Sequence, residues 1–133
     1  VPTEKQIEEA RKVAINASFE MLKSAAEMVE KIKPLLENAA KKTQEVLLTF
    51  RESEFLFNEI KNTDPIPMRE WQRAKALCVK STLNLHTVRD IESTLKINLE
   101  QAQKALEVSK QKYENATKEP QAEILPFKRR NRD

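Results

Sequence analysis

The 133-residue chain has no glycine. Glycine supplies the φ > 0 conformations of tight turns and lets backbone approach a substrate closely, so its absence argues for long helices joined by short connections and against the usual enzyme scaffold. There is one cysteine, Cys78, which excludes an intramolecular disulfide. There is one histidine, His86, with no histidine or cysteine three or four residues away, so the spacing of a helical metal site is missing. His86 stands eight residues from Cys78, off its face on a helix, which leaves no base to activate the thiol. A diiron bundle would need Glu-x-x-His motifs, and the chain has none. Aromatics are only 5% of residues and interleave with no basic stripe, so a nucleic-acid surface is not expected. No uncharged run approaches the roughly 18 residues that span a bilayer. These absences predict a protein that is not an enzyme, with no cofactor, no metal and no small-molecule substrate.

Charge and helical period are what the chain has in quantity. Charged residues make up 34%, with 24 basic against 21 acidic and a net charge of +3. The two signs are interspersed, as on the solvated exterior of long helices. Thr3-Glu4-Lys5-Gln6 reads as a capping box opening a first helix. A stripe then recurs at spacings of three and four: Ile7, Ala10, Ala14, Ala17, Met21, Ala25, Met28, Ile32, Leu35, Ala39, Thr43, Val46, Phe50, Ser53, Phe57 and Ile60. Pro34 lies inside the stripe, whose phase continues across it, so a kink is expected there rather than a loop.

Asn62-Thr63-Asp64-Pro65-Ile66-Pro67 is the one strong breaker. A second stripe follows without a slip: Trp71, Ala74, Cys78, Ser81, Leu85, Val88, Glu92, Leu95, Leu99, Ala102, Leu106, Ser109, Tyr113 and Ala116. This is a heptad repeat. The predicted organisation is a helical hairpin over residues 1–118: helix one over about 3–61, a turn at 62–67, helix two over about 68–118. Residues 119–133 form a C-terminal tail.

Folding the two stripes together about Asp64 pairs Phe57 with Trp71, Phe50 with Cys78, Thr43 with Leu85 and Ala14 with Tyr113. The fold class is therefore all-α, a long antiparallel helical hairpin of coiled-coil character. Many apolar residues remain outside the stripes: Val13, Ile15, Phe19, Leu22, Val29, Leu36, Leu47, Phe55 and Leu56 in helix one, with Leu77, Val79, Leu83, Ile91, Ile97 and Val108 in helix two. So wide an apolar arc calls for a further neighbour. Self-association or a protein partner would complete a helical bundle.

Four local features bear on function. Asn16-Ala17-Ser18 and Asn115-Ala116-Thr117 are N-glycosylation sequons, of a kind that also arises by chance. Phe50, Phe55, Phe57, Ile66 and Trp71 cluster around the turn, either closing the hairpin end or offering Phe55, Ile66 and Trp71 to a partner. The tail joins Leu125 and Phe127 to Arg129 and Arg130, a combination able to dock in a groove or touch an anionic surface. The chain begins at Val1 rather than Met; with the sequons, this leans toward an extracellular or organellar site. The function expected is that of a non-enzymatic interaction or scaffold protein. The alternative is an apolipoprotein-like lipid-surface binder whose helices meet lipid with their apolar faces.

Overall fold

A computed structural model describes residues 1–118 and divides them into two compact units. One unit comprises residues 31–100; the other joins residues 1–30 to the chain from Gln101 on. The described residues are all-α: helix α1 spans Glu4–Lys61 and helix α2 spans Met68–Thr117, and the two pack against each other as a hairpin.

Local chemistry sets the helix ends. The Thr3 N–H donates to Gln6 Oε1 at 3.0 Å, and the Gln6 N–H donates to Thr3 Oγ1 at 3.2 Å. This reciprocal capping box satisfies two donors that the first turn would leave unpaired. Inside α1, Pro34 is tolerated without a break. At the far end, the Thr63 N–H reaches the Ile60 carbonyl at 3.1 Å, and Thr63 Oγ1 donates to the Glu59 carbonyl at 3.0 Å, closing the last turn. The Pro67 carbonyl accepts the Trp71 N–H at 2.9 Å and opens α2. Proline suits that place because the first helical positions need no donor.

In α2 the sheltered residues follow the predicted stripe at every position from Trp71 to Ala116, joined only by Thr82. Labelling this repeat a and d puts Trp71 at a and Ala74 at d. Ala74, Ser81, Leu85, Ala102 and Ser109 are its most buried members.

In α1 the structure corrects the predicted stripe. From Ala39 to Ile60 the expected residues are sheltered. Toward the N-terminus the seam instead runs Leu36, Ile32, Val29, Ala25, Leu22, Ser18, Ile15 and Arg11. Leu35, Met28, Met21 and Ile7 stand 54%, 51%, 49% and 55% exposed, while Val29 is 4% exposed. The predicted stripe twice takes two successive steps of four, from Ala17 to Met21 to Ala25 and from Leu35 to Ala39 to Thr43. The observed one alternates three and four throughout. The reason is cooperative: α2 keeps an unbroken seven-residue repeat, and a helix that stays in contact with it must drift at the same rate. Four residues expected outside the seam, Ile15, Leu22, Val29 and Leu36, therefore belong to it.

The register is corrected as well. Phe57 does meet Trp71, with ring centroids 5.9 Å apart. Further from the turn the partners shift by about one helical step. Cys78 faces Ser53 rather than Phe50, Thr43 reaches Val88 rather than Leu85, and Tyr113 meets Phe19 at 6.0 Å rather than Ala14. Polar seam residues thereby find one another instead of facing apolar side chains, which spares their buried hydroxyls an unpaired state.

Candidate interaction surface

The seam of residues 31–100 is interrupted by two polar layers. In the first, the Ser53 and Ser81 hydroxyls lie 3.1 Å apart, each residue 3% exposed. Ser53 Oγ donates to the Thr49 carbonyl at 2.8 Å. A serine hydroxyl carries one proton, so Ser81 is the donor between the two. The Cys78 thiol donates to the Ser53 carbonyl at 3.1 Å. Burial first, and the nearby Glu54 charge second, push the Cys78 thiol above its ordinary value. It is held protonated, the opposite of an activated nucleophile.

In the second layer, Thr43 Oγ1 lies 2.9 Å from the Ala39 carbonyl and 3.4 Å from the Val88 carbonyl. It also reaches the Glu92 carboxylate, which pairs with Lys96 Nζ at 3.3 Å. The Thr43 hydrogen bond first, then Lys96, hold the Glu92 carboxyl below its usual range. Glu92 precedes Lys96 by four residues, the favourable order for such a pair on a helix.

Outside the seam, the two columns flanking it differ in character. The g column, one residue before each a position, holds Leu35, Lys42, Thr49 and Leu56 of α1 and Glu70, Leu77, Asn84, Ile91 and Asn98 of α2 within residues 31–100. The e column, one residue after each d position, holds Lys33, Ala40, Leu47, Glu54 and Lys61 with Met68, Lys75, Thr82, Arg89 and Lys96. The g flank mixes four apolar residues with three neutral polar ones and a single charge of each sign; the e flank carries five cations against one anion. In the second unit the g column is again the apolar one, with Ile7, Ala14, Met21, Met28 and Ala105 beside Lys112. Its e column begins with Lys5, Lys12 and Phe19 and includes Lys110.

Grooves run along both flanks of residues 31–100. On the g side, Leu56, Ile60, Ala74 and Leu77 floor a groove of 320 Å³ rimmed by Glu70 and Arg73. On the e side, Leu36, Ala40 and Leu99 floor a groove of 370 Å³ rimmed by Lys33, Glu37, Glu92 and Lys96. Phe57, Val79 and Leu83 line another of 280 Å³ with Lys75 at its edge. All are open, with floors that are mainly apolar.

The residues singled out in the sequence are dispersed. Trp71 is half-buried against Phe57, and Lys75 Nζ sits 5.1 Å above its ring. Phe55 is 67% exposed on the far side of α1 and takes no part in that pair, while Ile66 is 44% exposed in the turn. Asn16 and Asn115 are both exposed and belong to the same unit. Leu125, Phe127, Arg129 and Arg130 lie outside the described residues. Among the described residues no cluster of three or more His, Cys, Asp or Glu could hold a metal ion, and no helix is long and apolar enough to cross a membrane.

Sequence reading alone leaves the g columns unassigned. Their signal is nonetheless present, since five residues of the stripe read as the first seam of α1 (Ile7, Ala14, Met21, Met28 and Leu35) fall in the g column. Comparison with known protein families, curated proteins and solved structures gives no match to this chain.

Proposed function

We propose that the protein is a non-enzymatic helical interaction module, a scaffold or brace that works by coiled-coil packing of its free flank against another helical surface. The apolar g column beside the seam carries this reading. A helix with one neighbour needs only the a and d positions to be apolar. A helix with two neighbours needs a wider arc, a and d with e or g. In α1 the arc widens toward g at most positions, and in α2 it does so at Leu77, Ile91 and Ala105. The protonated Cys78 and the use of Glu92 within the seam support a structural role for the two most chemically capable groups. The exposed g residues Ile7, Ala14, Met21, Met28 and Leu35 of α1 recur every seven residues, as knobs-into-holes packing requires of a second face.

The test is to measure helix content and mass of the full chain with and without anionic phospholipid vesicles. A chain already fully helical alone, whose helicity and mass do not change with vesicles, supports packing against protein. A chain that gains helix on vesicles and floats with them would overturn the reading in favour of a lipid surface.

A further inference from the structure

We infer that Glu92 is the specificity-determining residue of the seam: it reserves α2 for α1 of the same chain and excludes the pairing of α2 with α2 of a second copy. The inference goes beyond the interaction reading above and stands whatever packs on the outer flanks.

The rest of the α2 seam is close to its own complement. Setting α2 antiparallel to a second α2, with Trp71 against Ala116, matches every a position of one helix with a d position of the other. Leu85 then meets Ala102, and Tyr113 meets Ala74. Large side chains face small ones, as interdigitating layers need. The central layers fail. There Glu92 meets Leu95, and these layers adjoin the two-fold axis, so the Glu92 carboxylates of both copies come together among leucines. A parallel pair in register sets Glu92 directly beside Glu92. Like charges brought together in a seam oppose association.

Against α1 the same carboxylate is satisfied. Its side chain is 18% exposed, lies 3.3 Å from Lys96 Nζ and is hydrogen-bonded by Thr43. Lys96 belongs to α2 and would follow Glu92 into any pairing, so it does not choose between partners. Thr43 belongs to α1 and does choose. A polar group at an a position whose complement stands on one partner alone selects that partner, at some cost in stability.

The experiment traps α2–α2 pairing covalently in the full chain. Cys78 faces Ser109 of the second copy in the antiparallel pair, whereas within one chain the two lie on the same helix roughly eight turns apart. In the parallel pair each meets its own counterpart. Ser109→Cys therefore makes either pairing visible as an interchain disulfide in a glutathione buffer, read by electrophoresis without reductant. Ser109→Cys alone should give little covalent dimer. Adding Glu92→Leu should speed its formation about tenfold or more. Adding Glu100→Leu, an exposed position of α2, should not. Urea unfolding of the same chains separates pairing from a weakened hairpin: the Glu92→Leu hairpin should be no less stable than its parent. Rapid trapping with Glu92 in place, or a rate unchanged by Glu92→Leu, overturns the inference. So does a gain that Glu100→Leu reproduces, or one that accompanies a loss of hairpin stability. No lipid enters these rates, so vesicle binding would sink the interaction reading without touching this result.

Discussion

The hydroxyls of Ser53 and Ser81 lie 3.1 Å apart across the seam, and no described residue is more buried than these two. Ser53 passes its own proton to the Thr49 carbonyl and accepts one from Ser81. The pair fixes register: a slide of either helix by one seam step would set each hydroxyl against an apolar side chain, and a buried donor left unpaired costs about 1–3 kcal/mol.

Ser53→Ala should therefore destabilise the hairpin by about 1–2 kcal/mol, and Ser81→Ala by a similar amount. The double variant should cost less than the two single costs combined, because neither hydroxyl is then left facing a lost partner. Urea unfolding of the four proteins measures the coupling. Strict additivity would mean that the hydroxyls do not interact.

Neighbouring residues of α1 should respond in opposite ways. Val29 is 4% exposed and Met28 51% exposed. Val29→Ala should lower stability by about 1–3 kcal/mol, and Met28→Ala should change it by no more than about 0.5 kcal/mol. Thermal unfolding of both variants decides which stripe is the seam; the reverse order would restore the stripe read from sequence.

Glu92 gives the seam an acid-sensitive component. Its native pKa is lowered below the ordinary value of 4.5 by the Thr43 hydrogen bond and by Lys96. The stabilisation is complete above the unfolded value and drains as pH falls through the native one. Glu92→Gln should thus be less stable than the parent at neutral pH, and the gap should narrow below pH 4.5. Urea midpoints of the two proteins across that range measure it; a gap independent of pH would show that the carboxylate charge contributes nothing.

Cys78 should react slowly. Its thiol is raised in pKa by burial and by Glu54, and it donates to the Ser53 carbonyl. Since the thiolate is the reactive form, labelling by a disulfide reagent at mildly alkaline pH should run about tenfold or more slower in the native chain than in urea. Equal rates would show that the thiol is neither shielded nor held protonated.

Much of this architecture is legible in the residues themselves. Thr3 and Gln6 announce the start of α1, since a capping box is a local motif that needs no tertiary partner. The Asp64-Pro65-Ile66-Pro67 run ends one helix and begins the next for equally local reasons: proline lacks a donor, and its ring disfavours helix in the residue before it. The α2 seam from Trp71 to Ala116 is legible because only one stripe there keeps an unbroken repeat.

α1 has two apolar stripes side by side before Ala39, one through Met21, Met28 and Leu35, the other through Leu22, Val29 and Leu36. Both keep helical period, and helix propensity does not distinguish them. Register is equally silent in either helix taken singly, because it is a property of the pair.

What the sequence determined was therefore each helix, each end and the reversal between them, all set by interactions within a few residues. Tertiary structure alone decided which of two adjacent stripes in α1 meets α2, and that Cys78 faces Ser53 and Thr43 reaches Val88. The physical reason is that contact along the whole length of α2 requires α1 to match its seven-residue repeat, and buried hydroxyls settle only where another polar group can receive them.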